Sequence, residues 1–203
     1  PSIGAEYFVA VDGLGLVMVL LAALVVPFAL LASGPEHRES KAFVALLLSL
    51  QSGLFGAFTA LNFFHWFIFW ELSLVPAYFL IKLWGGPGRV KAANQFFIYT
   101  MVGSVAMLLG FIAVYLATGS MDFLQLAEKA RATPGGLAGP LSAALTSNVL
   151  PNQSIASLVF LLVLAGFAVK VPLFPFHTWV PATYAEAPAS VTMVLIGVMS
   201  KMC

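Results

Sequence analysis

Four stretches of about twenty residues, almost free of charge, constrain this chain more than any other feature, because about twenty helical residues cross ~30 Å of hydrocarbon. They run from about Gly13 to Ala32, Ala42 to Leu61, Phe64 to Trp84 and Ala93 to Thr118. Composition agrees. Hydrophobic residues fill 61% of the 203 positions and charged residues 8%, against roughly a quarter charged in soluble domains. Too few charges remain to cover a water-facing surface, so a soluble domain is excluded and the bilayer is the expected surrounding. A net charge of +1 with no basic stripe gives nucleic acid nothing to bind. The single Cys203 offers neither an internal disulfide nor a thiolate metal cluster.

The connections follow from their composition. Ser33 to Ser40 reads as a polar turn, Asn62 as the tip of a tight hairpin, and Gly85-Gly-Pro-Gly88 as a helix stop. Residues 119–154 form a long extramembrane loop. Phe123, Leu126, Ala127 and Ala130 within it recur at helical spacing, which predicts a short helix on the membrane surface. A fifth span starts near Ile155 and meets Pro172, Pro175, Pro181 and Pro188, which no unbroken helix carries. It is expected as a half-helix to about Val169, an extended break, and a second piece from about Thr178 to Glu186. A last helix starts near Ala189 and runs to the end of the sequence. The expected fold is all-α, a polytopic transmembrane helix bundle with one proline-broken transmembrane helix. Residues 1–203 would form one membrane domain of about five spans plus the start of a sixth, read as a piece of a longer protein with no signal peptide. Arg38 and Lys41 follow the first span, and Lys82, Arg89 and Lys91 follow the third. By the positive-inside tendency these connections face the cytoplasm.

Three ionisable residues fall where no interface is near. Glu71 is roughly 10 Å into its helix, Lys201 about 18 Å past Ala189, and Lys170 closes an apolar run of about 22 Å, at 1.5 Å per residue. Each such charge costs roughly 2.5–3.5 kcal/mol on insertion scales, so charges at this depth pair, line water or serve a function. Taken singly, Lys170 has the alternative of snorkelling to the surface, Lys201 of lying at a helix edge, and Glu71 of a structural hydrogen bond. Taken together, one carboxylate and two lysines at similar depth point to a hydrated path. Broken helices open backbone groups at membrane depth only where protein or water satisfies them, and transporters put their ion sites there. His177, inside the break, titrates near neutrality and is a candidate relay residue. His65 lies beside Trp66 at the hairpin and has no assigned role. Trp66, Trp84 and Trp179 read as interfacial anchors, and Pro76 as a kink in the third span.

The motifs Phe69-Trp-Glu-Leu-Ser-Leu-Val-Pro-Ala-Tyr-Phe-Leu80, Trp84-Gly85 and Gln95-Phe-Phe-Ile-Tyr-Thr100 stand in one order along the chain. Phe167-Ala-Val-Lys-Val-Pro172, His177-Thr-Trp-Val-Pro181, Glu186-Ala-Pro188 and Gly197-Val-Met-Ser-Lys201-Met202 continue it, and Val11-Asp-Gly-Leu14 precedes it. This pattern resembles the antiporter-like subunits of proton-pumping NADH:quinone oxidoreductase (respiratory complex I), most closely the chain M or mitochondrial subunit 4 type. The likeness covers nearly everything outside the long loop. It implies that Glu71 couples to a lysine, that Lys170 accepts and releases the pumped proton, and that Lys201 passes it laterally. His177 has a softer place in the pattern. Ala182 and Tyr184 stand where the family often has Asp and His, which puts in doubt any route through those side chains, though Glu186 remains.

The resemblance implies a non-redox, proton-translocating subunit of an oxidoreductase. No cofactor is expected in this chain, which has no motif for flavin, nucleotide or iron–sulfur cluster. The expected partners are other membrane subunits of the same complex, lipid and protons, in a bacterial plasma membrane. A Mrp-type cation/proton antiporter subunit, or its relative in membrane-bound hydrogenases, shares the motifs. A non-transporting scaffold is a rival of another class. A retinal-type lysine is disfavoured by the proline-broken helix.

Overall fold

The computed structural model describes residues 9–144 and 152–202. Every predicted span is a helix: α1 (Gly13–Ala32), α3 (Lys41–Thr59), α4 (Phe63–Trp84), α5 (Arg89–Thr118), α8 (Asn152–Lys170), α9 (Trp179–Glu186) and α10 (Ala189–Gly197). Three of the long helices, α1, α3 and α4, start where a short polar side chain takes up an orphan backbone donor. Asp12 accepts from the Gly15 amide, Ser40 from Phe43 and Asn62 from Phe64. α5 ends on Gly119 in the left-handed conformation (φ 68°), where lack of a Cβ removes the steric cost. Helices α1, α3, α4 and α5 are long and apolar enough to cross a membrane, while Ile155–Lys170 and Ala189–Lys201 are shorter apolar pieces.

Three stretches differ from expectation. The polar turn after α1 contains a short helix, α2 (Pro35–Glu39), started by Gly34 and by Pro35, whose missing amide costs nothing in a first turn. The long loop holds the expected surface helix, α6 (Phe123–Ala132), capped by Asp122. It also holds α7 (Ala138–Ala144), which packs on α5 and α8 and so gains from tertiary contact what its Gly and Pro deny it. Residues 145–151 of that loop, and Cys203, lie outside the described residues. Finally, α10 does not run on to Lys201. Val198 leaves helical geometry, and Met199–Lys201 form a 3-10 turn. Gly197 weakens the helix there, and the Ser200 hydroxyl donates back to the Ile196 carbonyl, a bond that competes with the helical ladder.

α3 packs on α4, α5 on α8 and α9, and α1 on α3 and α10. Glycines set the closest approaches, as is usual where lipid supplies no hydrophobic drive and packing must do so. A Cβ on Gly53 would meet Ser73 backbone at 3.1 Å, and one on Gly166 would come within 2.9 Å of the Gly103 carbonyl. One end of the bundle is tied by bridges from Val9 to Ala60 and from Asn62 to Asp122. At the other end, Phe43 meets Trp84 ring to ring at 5.3 Å. Halfway between lies a layer in which Gly53 faces Ser73, and Gly103 faces Val169. Apolar side chains such as Leu14 (68% exposed), Val102 (65%) and Phe160 (64%) point outward, as they do where the surrounding solvent is lipid.

Candidate functional site

The break after α8 leaves that helix with orphan carbonyls inside the bundle, where each needs a donor. Three named donors serve them. The Val171 amide bonds Phe167 O at 2.8 Å, the Leu173 amide bonds Ala168 O at 2.8 Å, and Trp179 Nε1 bonds Val169 O at 2.9 Å. Trp179 is therefore no interfacial anchor. It is buried, its ring lies against Phe96 at 5.3 Å, and it stitches the second half-helix to the end of the first. Thr178 adds a second stitch: its hydroxyl donates to Tyr99 Oη (2.7 Å) and its carbonyl accepts from Gln95 Nε2 (3.1 Å). Gln95 and Tyr99 are one turn apart on α5 and so reach the same point.

Lys170 is the last residue of α8. Only 5% of it is exposed, and among the described residues it is the one buried side chain with a formal charge. Its ammonium stands 3.7 Å from the centre of the Trp70 ring, close enough for a strong cation–π attraction in a desolvated place. The C-terminal end of α8 adds the negative pole of a helix dipole. Trp70 itself is 1% exposed, donates from Nε1 to Ser104 on α5 (3.3 Å), and lies against Trp66 (4.4 Å) and Phe167 (6.0 Å). Trp66 is thus also part of this aromatic packing. Of the four tryptophans, Trp70 alone had no role predicted from sequence, because which face of α4 meets α8 is decided by packing.

Glu71 follows Trp70 on α4, which continues as an α-helix through Pro76. Its Oε1 is enclosed and accepts no hydrogen bond among the described residues. Lys201 sits in the 3-10 turn with its side chain exposed on this chain's surface. The neighbouring Met199 and Ser200 line a narrow cleft that also touches Lys170 and Tyr184 and has room for about one water. Met202 Sδ is 4.0 Å from the Ser73 hydroxyl, so this segment lies at the depth of the middle of α4. The Trp70 ring sets Lys170 beside the residue that precedes Glu71, and the Met202–Ser73 contact brings the turn carrying Lys201 to the same part of α4; the cleft and the ring contact Lys170 alone of the three. His177 lies apart, exposed in the break, with its ring 5.7 Å from Phe174.

One polar contact has no counterpart in the sequence reading. Glu186 Oε2 accepts from the Gly88 amide at 2.7 Å, and its carbonyl accepts from Gly86 at 2.8 Å. Any Cβ on Gly86 or Gly88 would collide with that carboxylate at 2.7–2.8 Å. The Gly-rich connection is thus a cradle for the end of α9 as well as a helix stop.

A bundle with four membrane-length apolar helices, beside a shorter apolar helix that breaks off at a buried lysine, defines a polytopic integral membrane protein. The chain belongs to the NADH:quinone oxidoreductase/Mrp antiporter transmembrane family, whose pattern matches residues 60–203. It is 37% identical over 203 residues to the F(420)H(2) dehydrogenase subunit M of Methanosarcina mazei, covering 97% of this chain and 38% of that protein. It is 38% identical to the NAD(P)H-quinone oxidoreductase chain 4 1 of Synechococcus sp. (strain JA-3-3Ab), covering 100% of this chain and 35% of the relative. The chain thus spans little more than a third of these relatives. Among solved structures it superposes on a chain of respiratory complex I from Thermus thermophilus with a TM-score of 0.70 and 29% identity, covering 98% of this chain and 41% of that one. A chain of the Mrp complex from Dietzia sp. DQ12-45-1b shares the fold at a TM-score of 0.71 and 22% identity, covering 93% and 32%.

Proposed function

We propose that this chain is part of a proton-translocating, non-redox subunit of a quinone oxidoreductase of the complex I type, working through Glu71, Lys170 and Lys201. The observation that carries the reading is the seat of Lys170: a buried amine at the end of a half-helix, held on the ring of Trp70, whose neighbour in sequence is Glu71, a carboxylate whose Oε1 has no hydrogen-bond partner among the described residues. A charge held at that depth is costly, and its local environment decides whether the proton stays. The mechanism is charge coupling. An ionised Glu71 near Lys170 favours the ammonium; displacing one from the other favours release through the narrow cleft towards Ser200 and Lys201. Moving one charge against 100 mV takes about 2.3 kcal/mol, and each tenfold change in proton affinity is about 1.36 kcal/mol. A swing of roughly fiftyfold therefore suffices at that potential. Electron transfer driving the swing would belong to other subunits of the complex. His177 would serve as an exposed proton acceptor or donor at the break.

Two relatives at 37% and 38% identity are a dehydrogenase subunit and a quinone oxidoreductase subunit. That favours this reading over a Mrp-type antiporter or hydrogenase-type subunit, for which the Mrp likeness at 22% identity supports the fold alone. A bacterial plasma membrane is the proposed setting, with other membrane subunits as partners. The test replaces Glu71 with Gln and Lys170 with Ala in the full-length subunit and measures proton uptake by vesicles carrying the assembled complex. The expected result is assembled complex with pumping lost in Lys170→Ala and strongly reduced in Glu71→Gln. Normal pumping in both would sink the proposal, and a sodium-dependent signal would move it to the cation antiporter class.

A further inference from the structure

We infer that Trp70 is a positioning residue for Lys170: its ring face holds the ammonium and sets how tightly the proton stays. The inference rests on the relay reading of Lys170. It deepens that reading by naming a second side chain that biases the same amine.

The geometry has three parts. The ammonium is 3.7 Å from the ring centre, inside the ~6 Å range of cation–π attraction, and indole is the best of the natural rings for it. The ring cannot easily turn away, because its Nε1 donates to Ser104 on α5 and its face and edge lie against Trp66 and Phe167. Three helices thus fix it while Lys170 hangs from the end of α8. Finally, Trp70 and Glu71 are consecutive on α4, so they project roughly 100° apart around it. One small rotation or slide of α4 past α8 would move the two in step relative to the amine. The neutral ring favours the charged lysine in every state in which the two touch, while the carboxylate does so only when ionised and near.

Other ionisable groups surround this point. Tyr99 is on α5, Tyr184 is on α9 and lines the cleft with Lys170, Lys201 follows α10, and His177 is in the break. Helices α7 and α10 contribute none. Tyr184 is the one that lines the cleft with Lys170, so the test is made with its hydroxyl removed.

The experiment measures proton pumping against pH in vesicles carrying the assembled complex, in a Tyr184→Phe background, with Trp70, Trp70→Phe and Trp70→Leu. Pumping requires the protonated amine in one half-cycle, so it fails on the alkaline side. Losing the ring weakens the hold on the proton and moves that alkaline limb to lower pH. The expected shift is about one pH unit for Trp70→Leu and a smaller shift in the same direction for Trp70→Phe. If Trp70→Leu does not assemble, Trp70→Phe decides. An unmoved limb, or a uniform fall in rate at every pH, would overturn the inference and leave Trp70 a packing residue. Lys170→Ala in the same series separates the two levels. Normal pumping there overturns the relay reading itself, whereas lost pumping with an unmoved limb in the Trp70 variants overturns only the role of Trp70.

Discussion

Lys170, Trp70, Trp179 and Glu71 each show how a single side chain is fixed by what lipid refuses to do. Lipid accepts no hydrogen bonds and solvates no charge, so the Lys170 ammonium sits on an aromatic face and the Val169 carbonyl takes an indole donor. Trp179→Phe keeps the ring but strands that carbonyl. The expected cost is about 1–3 kcal/mol, read as a lower melting temperature of the purified complex. Unchanged stability would mean that another donor replaces the indole. At this scale, sequence singled out the charges, because one charged residue inside an apolar run is conspicuous, though Lys201 lies in an exposed 3-10 turn past the end of α10 and not deep in a continuous helix. It could not find Trp70 or re-assign Trp179. A tryptophan next to a glutamate reads the same whether it faces lipid, another subunit or a lysine two helices away.

At the scale of elements, apolar run length and the breakers Gly and Pro were enough to place every long span. The misses have local causes. α2 and α7 are short helices whose formation owes more to a proline at the first turn and to packing on α5 and α8 than to any periodic pattern. The turn at Val198 comes from Gly197 and the Ser200 back-bond acting together, in a stretch whose hydropathy is that of a continuing helix. The glycines that bring helices together were also missed, since their function depends on the facing residue. Gly166→Ala tests them: its Cβ would press on Met107 at 2.5 Å and on the Gly103 carbonyl at 2.9 Å, forcing α5 and α8 apart. A loss of about 1–3 kcal/mol is expected, seen as a reduced yield of assembled complex at elevated temperature. A yield equal to that of the native protein would show that the contact relaxes freely.

The whole molecule differs from a soluble bundle in its outside: large apolar side chains cover the surface as well as fill the core, and the buried charge of Lys170 sits among them. A charge on the lipid-facing middle of a helix lacks the support that Lys170 has. Lysine at Leu24, which is 59% exposed near the middle of α1, is expected to cost roughly 2.5–3.5 kcal/mol of insertion. Fewer α1 segments should then integrate in a translocon insertion assay. Full integration would imply that this face of α1 is not in contact with lipid. Lys170 pays no such penalty unaided, because the Trp70 ring and the end of α8 support it. That contrast holds the central claim, that the buried amine is kept for its proton and not for packing. The most direct measurement is proton pumping by vesicles carrying the assembled complex with Lys170→Ala in the full-length subunit, beside the native protein. The account predicts an assembled complex whose pumping is lost; assembled complex that pumps at the native rate would contradict it.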